Sequence, residues 1–335
     1  MKTKLLLIVF AGLLIQTNAQ MKNDTYKVIK SIPVSGNGGW DYLTVNPTNQ
    51  FIYASHSTQV NIINPVTSVS EGVIENQEGV HGIAFDNQNR GYITNGKSNT
   101  VFVFNVKTNK KIASVEVGKK PDAVIFDDFS GKIIVANAGN NSISIINSKD
   151  FKVEKTIELI GNPEYVVTNL KGKIYVNIED KSKIAEINLT EGKVLNYFSL
   201  GKDESPTGLA IDNLTHRLFS SCEEHLVVVN AENGKIVTAL PIAKGCDGVV
   251  FDPKSKIVFA STYSGVISNY LEKSKDEFVT LADIKTETGG RTITINEETQ
   301  KIYVPTAEYG VAVDKNARRL PLKDGTFHIL EIGKN

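Results

Sequence analysis

Residues 121–161 decide the fold; they read PDAVIFDDFSGKIIVANAGNNSISIINSKDFKVEKTIELIG. Four short runs rich in β-branched residues alternate with a period of two, at 121–127, 133–137, 142–147 and 153–159. Gly, Asn, Asp and Ser separate these runs, which is typical of antiparallel strands joined by tight turns. The segment therefore predicts one four-stranded blade of a β-propeller.

The same phrase recurs along the chain in seven copies, whose opening residues are spaced 40 to 44 residues apart. The opening residues are Asp41, His81, Asp122, Glu164, Thr207, Asp247 and Arg291. A period in the low forties with four strands per copy is typical of propeller blades. The sequence thus predicts an all-β, seven-bladed β-propeller with four antiparallel strands in each blade.

The two ends of the chain are predicted to share one blade. The last copy ends at 326–332, which is only a third strand, so its fourth strand is missing. Residues 26–34 resemble the fourth strands of other copies, at 111–117 and 154–159. Pairing of the two ends removes the last open strand edge. We therefore expect the N-terminal strand to complete the last blade and close the ring.

Three copies carry related five-residue phrases after a first strand that begins with Pro or Gly. These phrases are Gly91-Tyr92-Ile93-Thr94-Asn95, Lys173-Ile174-Tyr175-Val176-Asn177 and Lys301-Ile302-Tyr303-Val304-Pro305. They resemble the YVTN repeat of the exported, YncE-like β-propellers, over nearly all of the chain after residue 19. The resemblance implies the fold, whereas the function stays open, because such families include surface-layer proteins and single-stranded-DNA binders.

Residues 1–19 have the pattern of a secretory signal peptide. Lys2 and Lys4 precede an apolar run at 5–15, and small residues precede Gln20. The run is too short to span a bilayer. We expect cleavage near Ala19 and an exported protein, periplasmic or extracellular, in which residues 20–335 form a single propeller domain that does not span a membrane.

The charge balance argues against nucleic acid as a partner. The full chain has 37 basic and 37 acidic residues, and loss of Lys2 and Lys4 leaves the remainder at about minus two. A groove that follows a phosphate backbone needs clustered Lys and Arg. We expect a monomer that binds a small molecule or a protein partner.

Two sets of residues are predicted to share one face of the propeller: those that open the first strand of each copy and those that end its second strand. The start of the first strand and the end of the second lie at the same end of an antiparallel sheet, and the first strand is innermost. Both sets therefore crowd the mouth of the central channel. The candidate ligand-binding residues are Asp41, His56, His81, Asp122, Glu164, Asp247 and Arg291.

The same mouth offers a possible site for a divalent metal ion, although no cofactor is certain. Crowded carboxylates raise one another's pKa unless a cation compensates. The candidate metal ligands are His81, Asp41, Asp122, Glu164 and Asp247. Alternatively, these side chains cap turns by bonding to neighbouring backbone amides.

The two cysteines lie in neighbouring blades on the predicted mouth face. In an exported protein, Cys222 and Cys246 are expected to form a disulfide. The alternative is a zinc ion held by these two thiolates and His225.

The last blade contains an insertion at 307–325, between its second and third strands. Long irregular loops often close over ligands. Tyr309, Arg318 and Arg319 are therefore candidates for contact with a bound anion or ring, the alternative being a solvated surface loop.

Three functions fit this sequence. The first is an exported, non-catalytic binding protein that uses the polar mouth face. The second is a metal-assisted hydrolase or lyase, with His81 or Glu164 as proton donor or acceptor. The third, single-stranded nucleic-acid binding, is implied only by the family resemblance. Nothing in the repeat demands chemistry, so the question of enzymatic activity stays open.

Overall fold

The computed structural model describes residues 25–311 and 321–334. The predicted signal peptide, and Arg318 and Arg319 of the insertion, lie outside the described residues. Seven antiparallel sheets, one per predicted repeat, make up almost all of the described chain. Two single-turn 3-10 helices, Ala138–Asn140 and Glu179–Lys181, follow the second strands of blades 3 and 4.

The strands follow the chain order, beginning with the N-terminal strand β1 (Lys27–Pro33). Blade 1 contains β2 (Trp40–Val45), β3 (Ile52–His56), β4 (Gln59–Asn64) and β5 (Val69–Ile74). Blade 2 contains β6 (Val80–Phe85), β7 (Arg90–Asn95), β8 (Thr100–Asn105) and β9 (Lys111–Glu116). Blade 3 contains β10 (Pro121–Asp127), β11 (Lys132–Asn137), β12 (Ser142–Asn147) and β13 (Val153–Glu158). Blade 4 contains β14 (Pro163–Thr168), β15 (Lys173–Ile178), β16 (Lys183–Asn188) and β17 (Lys193–Ser199).

The last three blades depart more from the regular pattern. Blade 5 contains β18 (Leu209–Asp212), β19 (Arg217–Ser221), β20 (His225–Asn230) and β21 (Ile236–Pro241). Blade 6 contains β22 (Cys246–Asp252), β23 (Ile257–Thr262), β24 (Val266–Ser274), β25 (Glu277–Thr280) and β26 (Ile284–Lys285). Blade 7 contains β27 (Thr294–Asn296), β28 (Lys301–Thr306) and β29 (His328–Gly333). In blade 6 the outer strand is split, because β25 and β26 both pair with the long β24.

The ring is closed as predicted. In blade 7 the strand order is β1-β29-β28-β27, so the N-terminal strand is its outermost strand. Ile32 pairs with Ile329 and Pro33 with His328. Both isoleucines are fully buried. The sheet that contains the two ends of the chain therefore also joins blade 6 to blade 1.

Apolar side chains fill the space between neighbouring blades. Within the described residues there are seven hydrophobic clusters, each shared by two adjacent blades. Consecutive residues of one strand belong to different clusters, as Ile133 packs toward blade 2 and Ile134 toward blade 4. This is the strand alternation expected of a sheet buried on both faces.

Asn and Asp side chains close the turns at the face opposite the channel mouth. Each carboxylate or amide oxygen accepts a hydrogen bond from a backbone N–H two or three residues further along. The residues at the turn between first and second strands are Asn46, Asp86, Asp127, Asn169, Asp212, Asp252 and Asn296. Such side chains favour turns because they satisfy backbone donors locally, which explains why each copy of the repeat keeps this residue type.

Substitution of Asp127 is expected to destabilise the ring. Asp127 is fully buried and accepts hydrogen bonds from Ser130 N and Oγ and from Thr168 Oγ1 of the next blade. We expect Asp127→Ala to lower the free energy of unfolding by about 2 to 4 kcal/mol, because buried donors lose a charged partner. Urea unfolding followed by the fluorescence of Trp40 measures this. Asp128→Ala, at the exposed neighbouring position, is the control and is expected to change little.

Candidate functional site

A β-bulge in the inner strand turns the opening residues toward the channel. In blade 1, Trp40 lies opposite His56 but Leu43 lies opposite Ala54, so β2 has one extra residue between these pairs. The inner strands of blades 2, 3, 4 and 6 shift register at the same place. Bulges re-aim side chains and are frequent beside functional sites. Strict alternation would instead have placed the opening residue on the side where blades pack.

Hydroxyl groups of the second strands hold these bulges. Thr94 Oγ1 accepts a hydrogen bond from Gly82 N at 2.7 Å and donates one to Asp122 O of the next blade at 2.6 Å. Ser261 Oγ donates to Thr292 O, and Thr292 Oγ1 donates to Asp41 O at 2.6 Å. The backbone beneath the polar side chains is therefore fixed by bonds between blades. Sequence reasoning missed this role, although the threonine of the repeated phrase was its signal.

One group of polar side chains at the mouth joins blades 1, 2 and 3. His81 Nδ1 lies 2.6 Å from Asp41 Oδ2 and 3.9 Å from Asp122 Oδ1. One ligand-type atom from each of these three residues lies within 4.8 Å of the others. The side chains are 26% (His81), 21% (Asp41) and 11% (Asp122) exposed, so solvent reaches them. Residues about 40 positions apart thus form one compact group that could hold a metal ion.

Burial and charge change the protonation of this group. Burial, together with the charge of Asp41, raises the pKa of Asp122 to about 7. Burial lowers the pKa of His81, but the hydrogen bond to Asp41 and the charge of Asp122 outweigh it and raise that pKa overall. The raised pKa of His81 favours the protonated imidazole, which lies between the two carboxylates.

The His81 ring packs against the backbone of Gly96. A Cβ atom built on Gly96 would lie 2.8 Å from His81 Nε2 and 2.9 Å from its Cδ2. The Nε2 edge of the imidazole therefore packs against backbone. Nδ1 is the nitrogen that faces the two carboxylates.

Glu164 lies in a carboxyl pair with Glu179, which belongs to the second 3-10 helix. Asn162 Nδ2 donates to Glu164 Oε1 at 3.3 Å and to Glu179 Oε2 at 2.9 Å. Burial, followed by the charges of Asp122 and Glu179, raises the pKa of Glu164 to about 9. This pKa favours the protonated form of Glu164 at neutral pH.

Asp247 and Arg291 form the opposite, neutralised side of the mouth. Arg291 Nη1 donates to Asp247 Oδ2 at 2.6 Å, and Nη2 donates to Trp40 O at 3.4 Å. Burial lowers the pKa of Arg291, but the charges of Asp247 and Asp41 outweigh burial and raise that pKa overall. The guanidinium therefore stays charged. We call Asp41, His81, Asp122, Glu164, Asp247 and Arg291 the mouth cluster.

Two tyrosines close the channel below the mouth cluster. Tyr42 and Tyr165 follow the opening residues of blades 1 and 4, and their ring centroids are 5.5 Å apart. Because these blades lie on different sides of the ring, the contact crosses the channel. Burial raises the pKa of Tyr42 well above its ordinary value, and the charges of Asp122, Asp41, Glu164 and Asp247 add to this. We call this pair the tyrosine floor.

Sequence reasoning missed the tyrosine floor although a signal was present. At the position after the opening residue the other five copies have small side chains. These are Gly82, Ala123, Gly208, Gly248 and Thr292. A Cβ atom on Gly82 or Gly208 would lie within 3 Å of the next blade's backbone, so small residues allow the inner strands to approach. Two tyrosines in that position must instead point into the channel.

His56 does not join the mouth cluster. Its ring is 1% exposed, contacts Gly38 O through Nε2 and Asn61 Oδ1 through Nδ1, and packs on Phe327 with ring centroids 4.4 Å apart. The structure places it in the packing between blade 7 and blade 1. Its membership of the ligand-binding set stays a prediction that the contacts do not favour.

The cysteines are free thiols in the structure. Burial raises the pKa of both Cys222 and Cys246 to about 12. Both line a cavity of about 320 Å³ on the mouth face, together with Thr207 and Lys244. The disulfide stays a prediction.

The alternative zinc site is not formed. His225 Nδ1 contacts Asp203 Oδ1 at 2.6 Å. Within residues 25–311 and 321–334, only Asp41, His81 and Asp122 come close enough together to hold a metal ion. Cys222, His225 and Cys246 do not form such a group among the described residues, and a zinc ion shared by them stays a prediction.

The insertion at 307–325 begins and ends as a short two-stranded ribbon. Tyr309 pairs with Leu322, Gly310 N donates to Pro321 O, and Lys323 N donates to Glu308 O. The Tyr309 ring packs edge-on against Tyr263, with centroids 5.7 Å apart, and its hydroxyl lies against Gly289, two residues before Arg291. The described part of the insertion thus reaches the mouth cluster.

The fold and the mouth cluster together define a seven-bladed β-propeller with a polar, acidic channel mouth. A structure of Kuenenia stuttgartiensis hydrazine synthase matches with a TM-score of 0.72 and 15% identity, over 81% of this chain and 94% of that one. A structure of U3-55K matches with a TM-score of 0.77 and 10% identity, over 91% and 98%. At these identities the similarity shows the fold alone.

No family model matches the chain. No curated protein matches it either. Within the described residues no helix is both long and apolar enough to cross a membrane.

The protonation of Glu164 predicts a pH dependence of stability. Its pKa in the folded protein is raised from 4.5 to about 9, so the native state keeps a proton that the unfolded chain loses. Stability therefore falls as pH rises from about 4.5 to 9. Glu164→Gln keeps a neutral donor toward Glu179. We expect it to unfold like the wild type at pH 5 and to be more stable than the wild type at pH 9.

Urea unfolding at pH 5 and pH 9, after treatment with EDTA, measures this difference. Glu158→Gln, at an exposed position of β13, is the control and is expected to show no such pH-dependent gain. A constant difference between Glu164→Gln and wild type across this range would contradict the assignment of a proton to Glu164.

Proposed function

We propose that the protein is an exported, non-catalytic binding protein of the YVTN-repeat, YncE-like kind, which holds a small, positively charged ligand at its channel mouth. The observation that carries this proposal is the convergence of Asp41, His81 and Asp122, from three blades, within 4.8 Å. The fold alone brings these residues together. A set of independent turn caps would bond to local amides instead.

The charge of the mouth cluster supports a cationic ligand. The cluster contains four carboxyl groups, and only Asp247 is in a close ion pair with an arginine. Burial and mutual repulsion keep Asp122 and Glu164 partly or fully protonated at neutral pH. A bound cation would offset both the burial of these carboxylates and their mutual repulsion, because it neutralises charge that water no longer screens. Groups that reduce stability in the free protein are typical of functional sites.

The tyrosine floor supports a small ligand bound from one side. Tyr42 and Tyr165 cross the channel directly below the carboxylates, so a ligand enters from the mouth face and stops there. Aromatic rings beneath a ring of carboxylates suit a cation, because the faces of aromatic rings attract positive charge. The Tyr309 ribbon lies beside Gly289, two residues before Arg291 of the same cluster.

Binding is tested by calorimetric titration of the protein without its signal peptide. The ligands tested are divalent metal chlorides, a primary amine, a quaternary amine and an amino acid. Inorganic phosphate is the negative control. We expect a cation to bind and phosphate not to bind. Asp122→Asn is expected to weaken binding at least tenfold, roughly 1.4 kcal/mol, because Asp122 is the most buried carboxylate of the cluster.

Asp128→Asn, an exposed carboxylate on the opposite face, is the matched control and is expected to leave affinity unchanged. Light scattering at the same concentrations tests whether the protein is a monomer. If no cation binds, or if Asp122→Asn and Asp128→Asn behave alike, the mouth cluster is not the binding site.

One observation also favours a second candidate, a metal-assisted hydrolase or lyase. The group of His81, Asp41 and Asp122 has the atom types and the closeness of a metal site, and Glu164 keeps an exchangeable proton nearby. Hydrolysis of esters and lactones in the presence of Zn²⁺ or Mn²⁺ tests it. Turnover that Glu164→Gln abolishes while metal affinity is kept would favour the enzyme over the binding protein.

A further inference from the structure

We propose that Asp41, His81 and Asp122 bind a first-row divalent metal ion of the Zn²⁺ or Mn²⁺ type. This inference rests on the proposed function and names its ligand class. The three residues supply one imidazole nitrogen and two carboxylates, from three successive blades. Two carboxylates balance the charge of a divalent ion, and the open mouth leaves the other coordination positions to water or to a second ligand.

The Asp122 carboxylate lacks a hydrogen-bond donor, and this separately supports a metal site. The Asp122 side chain is 11% exposed, and within the described chain no group donates a hydrogen bond to its carboxylate. The nearest nitrogen of opposite charge is His81 Nδ1, at 3.9 Å from Oδ1, which is beyond hydrogen-bonding distance. Buried carboxylates are normally paired or coordinate metals. This one faces the gap between His81 and Asp41, where an ion would contact all three residues.

The donor set selects the type of metal. Ca²⁺ prefers six to eight oxygen ligands, and Mg²⁺ keeps most of its waters. One imidazole with two carboxylates suits Zn²⁺, Mn²⁺ and similar ions instead. The orientation of the imidazole fits this role, because the Nε2 edge of His81 packs against Gly96 and leaves Nδ1 as the nitrogen available for coordination.

The protein provides an internal comparison for this site. Asp203 and His225 form a second pair on the mouth face, and the separation of 2.6 Å between imidazole Nδ1 and a carboxylate oxygen is the same as between His81 and Asp41. Within the described residues this pair has no third ligand close enough to complete a metal group. If an Asp–His pair alone were sufficient, both places would bind metal; if the third carboxylate is required, only the mouth cluster would do so.

The experiment uses the chain without its signal peptide, purified without a histidine tag and treated with EDTA. Titration calorimetry with ZnCl₂, MnCl₂ and CaCl₂ gives the affinities, and the paramagnetic resonance spectrum of Mn²⁺ gives the bound fraction independently. Mn²⁺ matters because thiolates favour Zn²⁺ over Mn²⁺, so Cys222 and Cys246 do not affect that measurement. We expect one equivalent of Mn²⁺ and of Zn²⁺ at this site and weaker binding of Ca²⁺.

Variants assign the site to residues. His81→Ala and Asp122→Asn are expected to weaken Mn²⁺ binding by at least about 100-fold, since loss of even an outer-shell partner costs 10- to 100-fold. Gly96→Ala removes no ligand but displaces the His81 ring, and is expected to weaken binding about tenfold. His225→Ala is the matched control and should bind Mn²⁺ like the wild type. Circular dichroism and thermal unfolding verify that each variant is folded.

The outcomes separate this inference from the proposed function. Binding of an organic cation without binding of Mn²⁺ or Zn²⁺ overturns the metal site and leaves the binding function standing. Failure of every cation to bind overturns both. Metal binding that survives His81→Ala and Asp122→Asn overturns the assignment to these residues, and loss of binding in His225→Ala alone would move the site to the Asp203 pair.

Discussion

The structure depends on one strand pairing, that of β1 with β29. No single blade can bury both faces of its sheet, and each hydrophobic cluster of the described chain is shared by two neighbours. The cluster between blade 7 and blade 1 contains Ile32 and Ile329 from the paired ends of the chain together with Trp40 and Leu43. Closing the ring therefore completes the burial of every blade. It also fixes the distances across the channel, on which the mouth cluster depends.

Closure alone would not produce a polar mouth, because strand alternation would point the opening residues between blades. The bulge in the inner strand changes this, and inter-blade hydrogen bonds such as that from Thr94 Oγ1 to Asp122 O hold it. The same bond that positions the Asp122 backbone also joins blade 2 to blade 3. Stability of the ring and placement of the mouth cluster thus share their contacts, whereas the charges of the cluster oppose stability.

The fold could be predicted from the sequence because each blade repeats the same local rules about 40 residues apart. Asp127 illustrates this, since its turn-closing role follows from residue type and position. The opening residues of the seven copies were predicted to converge for the same reason, and Asp41, His81 and Asp122 do lie together.

His56 and the tyrosine floor show what the sequence pattern could not predict. His56 occupies the predicted register, but contacts with Gly38, Asn61 and Phe327 hold it in packing. The contact of Tyr42 with Tyr165 joins blades three repeats apart, which no local pattern encodes.

The mouth is electrostatically asymmetric, and this decides where a ligand can be held. On the side of blades 6 and 7, Arg291 neutralises Asp247 through a direct bond. On the side of blades 1 to 4, His81 lies between Asp41 and Asp122, the charge of Lys120 acts on Asp122, and the raised pKa of Glu164 favours its neutral form. A cation placed on the channel axis would meet the arginine as well as the carboxylates. A cation displaced toward His81 lies between the carboxylates of Asp41 and Asp122, whose charges also raise the pKa of Tyr42. The proposed binding position therefore lies off the axis, at blades 1 to 3, where the three ligand-type atoms converge.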